Sequence, residues 1–116
     1  MATNYLGTGT FLANTTVTAF YGVVISSNRG VGLSTTGACD GFATIDAASG
    51  DYVTVAFLTN FGTQKGVVTA TPVTVGDTIY LGASGQVSTT GTVTIGKALT
   101  TTSTNGAVIE FIPKNL

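Results

Sequence analysis

Charge is what this sequence has least of. Its 116 residues include four Lys or Arg and five Asp or Glu, against about 25% charged residues in an average soluble domain. Histidine and tryptophan are absent, and there are one cysteine and two prolines. Each absence removes a class of activity. Without histidine there is no ordinary general base near neutral pH, and Cys39, the single thiol, lacks its usual activating partner. One cysteine makes neither an intrachain disulfide nor a multi-cysteine zinc site. A net charge of −1 offers no basic footprint to nucleic acid or to an anionic membrane. The longest apolar run, around Ala19 to Ile25, is broken by Gly22 and is too short to span a bilayer. Met1 to Tyr5 has neither the positive segment nor the apolar stretch of a signal peptide, so synthesis in a cytoplasm is expected. An enzyme is not.

Threonine and glycine are abundant instead, with 24 and 16 copies. The branched Cβ of threonine suits a pleated strand, and its hydroxyl keeps a surface wet without net charge. Charge is depleted where protein surfaces cover one another. The composition therefore points to a component of an assembly.

Strand signals run through most of the chain. Phe20 to Ile25 is followed by a turn over Ser26 to Gly30 and a return strand from Val31 to Leu33. Asp51 to Leu58 alternates, with Val53, Val55 and Phe57 on one face. Gly66 to Ala70, Asp77 to Leu81, Gln86 to Thr89, Thr92 to Leu99 and Ala107 to Ile112 continue the pattern, and Gly82 to Gly85 forms a hairpin turn between two of them. Short strands at regular spacing predict an all-β fold, a single small β-sandwich or barrel-like domain over residues 11–116. One turn of helix at most is expected, at Asp46 to Ser49, and no internal repeat is apparent. Residues 1–10 have no period and contain Gly7 and Gly9. They read as a flexible N-terminal arm whose only apolar anchors, Tyr5 and Leu6, would dock on a partner by strand addition.

No chemical constellation emerges. Asp40, Asp46 and Asp51 form the only acidic cluster, but they lie six and five residues apart, unlike the alternating ligands of a calcium loop, and they adjoin turn residues. No metal or cofactor is expected. Gly7-Thr8-Gly9 and Gly30-Val31-Gly32 do not complete a dinucleotide motif. The aromatics, among them Phe20, Phe42, Phe61 and Phe111, suit core and interface packing better than a sugar platform that lacks tryptophan. Lys65 and Lys97 read as isolated guards on strand ends.

Several segments of the C-terminal half, in order, resemble the head-decoration (capsid cement) family of tailed phages. They are Val75-Gly76-Asp77-Thr78-Ile79-Tyr80-Leu81, Ala83 to Thr90, Ile95-Gly96-Lys97-Ala98-Leu99 and Gly106-Ala107-Val108-Ile109-Glu110. Upstream, Gly22 to Ile25 with Val31 to Leu33 is similar to the family's first hairpin and return strand. The resemblance covers about residues 20–112. It implies a small β-rich protein of the β-tulip type in the virion, added to the outer surface of an expanded icosahedral head. The major capsid protein would be its partner and a homo-oligomer, most simply a trimer, its working state. Glu110 is expected outside the contact between copies for a separate reason: its neighbours Ile109 and Phe111 alternate toward the core, and an unpaired carboxylate is costly to bury. Two other classes stay open: another virion β-module (tail-tube, fibre-base or head–tail joining), and a carbohydrate-binding adhesin module.

Overall fold

The branched and aromatic residues noted above form ten strands in a computed structural model that describes residues 8–34, 38–58, 63–69 and 72–113. In the N-terminal half are β1 (Thr8–Ala13), β2 (Gly22–Ser27), β3 (Gly30–Leu33), β4 (Gly41–Ala43) and β5 (Tyr52–Phe57). In the C-terminal half are β6 (Gln64–Val67), β7 (Thr78–Leu81), β8 (Val87–Ser88), β9 (Thr94–Ala98) and β10 (Val108–Pro113). Among the described residues the only helical element is a three-residue 3-10 turn, Ala83–Gly85, inside the hairpin expected there. The all-β expectation holds. Side chains follow the two-residue period: Val53 and Val55 of β5, and Ile109 and Phe111 of β10, are buried, while Tyr52, Val108 and Ile112 face out. No threonine with a described side chain is buried, in keeping with its role as an uncharged wet surface.

The first five strands close into a barrel in the order β1-β3-β2-β4-β5. Strand β1 pairs antiparallel with β5 and parallel with β3. The second five form a sheet ordered β6-β10-β9-β7-β8, and a parallel bridge from Val68 to Val87 draws its two edges together. Closure leaves few unpaired edges.

Every pairing of the first half recurs in the second. Antiparallel β1·β5, β2·β3, β2·β4 and β4·β5 correspond to β6·β10, β7·β8, β7·β9 and β9·β10. The parallel β1·β3 pair corresponds to the Val68–Val87 bridge. Individual hydrogen bonds repeat as well. Val17 and Ala47 exchange backbone bonds of 2.9 and 3.0 Å, and Val73 and Thr102 exchange two of 2.9 Å. The Phe20 and Gly76 amides donate to the carbonyls of Ala43 and Ala98 at 2.8 and 2.9 Å. Residues 8–58 and 63–113 are thus two copies of one fold, which corrects the expectation of no internal repeat. The repetition lies in backbone pairing and turn position, so side chains as different as Ala47 and Thr102 occupy related places.

One glycine pair shows how far the copies agree. A Cβ on Gly41 would lie 2.5 Å from the Ala56 carbonyl oxygen, and one on Gly96 would lie 2.2 Å from that of Ile112. These positions match through the register of β4 on β5 and of β9 on β10. No side chain fits where the strands approach so closely.

Two apolar clusters fill the molecule. The first lies inside the N-terminal barrel around Val17, Val23, Val31, Val53 and Val55. The second fills the C-terminal unit but also takes Cys39, Phe42 and Leu58 from the first half. Phe42 meets Phe111 edge to face, with centroids 5.4 Å apart. The two copies are therefore joined by shared core, and the radius of gyration, 13.2 Å, is that of one compact domain of this length, about 13 Å.

Candidate functional site

Two surfaces stand out, and the repeat relates them. The first is the seam between the copies. A half-open cavity of about 230 Å³ is lined there by Phe20, Phe42, Ala43, Thr44 and Ala56 of the first copy and Thr63, Gln64 and Lys65 of the second. Gln64 begins β6 and is 4% exposed. Its Nε2 donates to the Phe57 carbonyl oxygen, and its Oε1 is buried with no hydrogen-bond partner. The Lys65 ammonium lies 5.7 Å from the centre of the Phe20 ring, a cation–π distance.

Phe20 has a positive φ, as do Arg29 and Ser84 among the described non-glycine residues, and it differs from the residues at its three related turns. The four related turns place one residue each in the left-handed region: Phe20 (φ 70°), Gly50 (94°), Gly76 (93°) and Gly106 (84°). Glycine takes that conformation freely, whereas an L-residue with a side chain loses roughly 1–2 kcal/mol there. Three turns use the easy residue. The turn at the seam does not.

The second surface is the outer face of β9 and β10. The face of the first copy that carries Phe42 and Ala56 is covered by the second copy, with Phe42 2% and Ala56 8% exposed. The residues in register on the second copy are Lys97 and Ile112. Lys97 is exposed and Ile112 is 48% exposed. With Thr78, Thr94, Gly96 and Pro113 they line an open groove of about 390 Å³. What is interior seam in one copy is free surface in the other.

The expected site residues fall as follows. Tyr5 and Leu6, the anchors of the expected arm, lie outside the described residues, while residues 8–10 of that arm run in β1 opposite Thr54 to Ala56. Phe61 is likewise outside. The carboxylates accept from backbone amides: Asp40 from Ile25 of β2 at 2.8 Å, Asp46 from Ala19 at 2.7 Å and, within its own turn, Asp77 from Thr74 at 2.9 Å. Asp46 and Asp51 border a shallow depression with Thr16 and Thr18, Asp40 is elsewhere, and the described residues contain no cluster of three metal-type ligands. Cys39 is buried, its Sγ 3.3 Å from the Gly41 carbonyl oxygen, and burial pushes its pKa up to about 11. It is a packed thiol, protonated at neutral pH. Lys65 sits in edge strand β6, and Lys97 sits within β9 on the open face.

Sequence reasoning placed Phe20 only among the packing aromatics, without its turn conformation, and missed Gln64. The signal for Phe20 was present: Ala13 to Val23, Ala43 to Val53, Val68 to Ile79 and Ala98 to Ile109 align as four turn segments, and only the first lacks glycine at the turn. For Gln64 no such signal exists, since its burial depends on the other copy.

The fold and seam define a class, all-β proteins built from a doubled five-stranded unit. One solved structure with this architecture is the head fiber gp8.5 N base of bacteriophage phi29, with a TM-score of 0.72 at 17% identity, covering 92% of both chains. The family model for phage cement proteins matches residues 7–112. The chain belongs to that family and is a structural protein of the phage virion. No curated protein matches it in sequence.

Proposed function

We propose that this protein binds the outer surface of an expanded icosahedral capsid as a decoration protein, stabilises it against internal pressure, and works there as a closed homotrimer. The observation that carries the reading is the open face of the second copy. Ile112 and Lys97 occupy the position that Phe42 and Ala56 bury in the first copy. The first half of a neighbouring chain would cover it head to tail, extending the contact already made inside the chain. A closed ring uses this face on every copy without growing into a filament, and three copies match the three-fold junctions of an icosahedral shell. Nine charges leave such contacts little screened by salt. Residues 1–7, with Tyr5 and Leu6, would reach the major capsid protein by adding a strand.

The test is to add the purified protein to undecorated expanded heads and image them. Density for three touching copies over local three-fold positions is expected, and Ile112→Glu is expected to leave monomers that no longer fill those positions. Isolated monomers at capsomer centres would refute the trimer. Deleting residues 2–7 is expected to weaken head binding without changing the melting temperature, and full binding by the truncated chain would refute the arm. A second reading, the base of a projecting head fibre, is favoured by the match to the phi29 fibre base. It requires further protein rising from each bound copy in the mature virion.

A further inference from the structure

We infer that the open face of the second half seats the β2–β3 hairpin of a neighbouring chain, with Ile25 laid against Ile112 and the Asp40 carboxylate paired with the Lys97 ammonium. The inference names the segment that meets this face and rests on the head-to-tail order proposed above. It starts from the seam, which has two sides, each with a free counterpart. On the side of the first half stand Phe42 and Ala56, and their counterparts Lys97 and Ile112 are exposed. On the side of the second half stands the β7–β8 hairpin. Its Leu81 is 2% exposed, in the cluster that Cys39, Phe42 and Leu58 complete. Gly85, in the turn of that hairpin, comes so near the first half that a Cβ would lie 2.6 Å from the Gly22 carbonyl oxygen.

The counterpart of that hairpin is β2–β3. Ile25 pairs with Val31 as Leu81 pairs with Val87, and the amides of Asn14 and Thr69 donate to the Val31 and Val87 carbonyls at 2.8 and 2.9 Å. Val23 is fully buried, and Ile25 continues its inward row by the two-residue period, yet Ile25 is 45% exposed. Each chain therefore carries both sides of a second seam, on different halves.

The two sides are complementary. Each sets an isoleucine beside a charge. The Ile25 amide donates to Asp40 Oδ2 at 2.8 Å, and Asp40 is exposed. Ile112 lies directly opposite Lys97 across β10 and β9, so the two side chains share one face. Residues 8–58 hold Asp40, Asp46 and Asp51 against Arg29 alone, whereas residues 63–113 balance two lysines with two carboxylates. Arg29 is held on its own barrel, donating to the Thr10 carbonyl oxygen at 2.8 Å with its guanidinium 4.9 Å from the centre of the Phe11 ring. Two open faces laid on each other would leave Ile25 uncovered in every chain.

The contact between chains is a counterpart of the seam and not a replica. Arg29 stands where Gly85 stands, and Thr78 where Gly22 stands. Side chains at both positions keep two chains further apart than two halves of one chain. Ile112 in place of Ala56 is larger and reaches across the wider gap, and the groove of about 390 Å³ beside it and Lys97 receives Ile25.

The test is cross-linking in a Cys39→Ala background, with Ile25→Cys in one chain and Ile112→Cys in another. A short bismaleimide is added to the free proteins at millimolar concentration and to decorated heads. The mixture is expected to link about tenfold faster than either variant alone, because the two thiols are held together. Asp40→Asn keeps an acceptor for the Ile25 amide and is expected to slow linking about threefold, the order of a surface ion pair. An unchanged rate would overturn the charge pair. Linking within a single variant as fast as in the mixture, or none in the mixture in either setting, would overturn the contact. A chain carrying both cysteines is expected to give covalent species that stop at three. A longer ladder would keep the contact and defeat the closed trimer. Linked trimers that fail to bind heads would keep the contact and defeat the capsid reading, whereas heads decorated without links would defeat the contact alone.

Discussion

The two halves of this protein share a backbone and differ in what they show to the outside. Residues 8–58 and 63–113 carry the same five pairings, the same close approach at Gly41 and Gly96, and the same turns. Their outer faces diverge: Phe42 and Ala56 are sealed against the other half, while Lys97 and Ile112 lie open. Backbone pairing with interior packing sets the architecture, and a few outward residues decide which copy is interior to the molecule. The sharpest test is to truncate the matched pair. Phe42→Ala removes a ring packed on Phe111 and is expected to cost about 3–5 kcal/mol. Lys97→Ala at the related position is expected to change the free protein by no more than about 0.5 kcal/mol. Denaturant titrations of both variants check this. Equal losses would mean that the seam is not where the halves differ.

The glycine pair asks the opposite question, whether the halves agree. Gly41→Ala and Gly96→Ala each force a methyl group to within 2.5 Å of a carbonyl oxygen. Each is expected to cost about 3 kcal/mol, at the upper end of the usual overpacking penalty. Thermal unfolding of both variants gives the comparison. A mild effect at one position alone would reduce the repeat to shared topology without shared geometry.

Much of the fold was legible because most strands announce themselves by alternation. β5, β10 and the β7–β8 hairpin follow from Val53 and Val55, from Ile109 and Phe111, and from the glycines around Ala83. β4 was not legible, since three residues give no period, and β1 was not because Gly9 interrupts its pattern. The Gly9 position is tight for another reason, as a Cβ there would lie 3.0 Å from the Phe11 ring. The repeat was hidden because it depends on ladder positions that tolerate almost any side chain. Of the site, composition indicated a covered, uncharged surface and the motifs indicated the family. The seam cavity was out of reach, because it exists only once Gln64 of one half faces Phe20 and Phe42 of the other.

Cys39 tests the seam through pH. Its thiol packs with the core of the second half, and burial raises its pKa from 9.0 to about 11. The neutral form is the one the fold holds. Stability from this group is therefore fully present below pH 9. It is lost as pH rises through 11, because over that window the unfolded chain gives up a proton that the folded chain keeps. The loss is expected to reach about 2–3 kcal/mol. Unfolding free energies at pH 7, 9 and 11 for the wild type and for Cys39→Ala isolate the effect, since the other titrating groups are common to both. A wild-type curve parallel to that of the variant would show a thiol free to ionise at the seam.

The smallest expected effect concerns the turns, where the halves were seen to match in conformation but not in residue. A Cβ on Gly76 would meet nothing within 4 Å, and the position has a φ of 93°, so Gly76→Ala carries only the left-handed backbone penalty. That is about 1 kcal/mol. At the related position Phe20→Gly recovers a similar amount. It also gives up the packing of a half-buried ring and the contact with Lys65, so the net change is expected to stay within about 1 kcal/mol of zero. Differential scanning calorimetry of the two single variants and their double mutant measures this, and the two changes should add because the turns share no partner. Strong destabilisation by Phe20→Gly would make the aromatic a structural staple between the halves. A neutral or stabilising result means that the fold does not need the strained side chain.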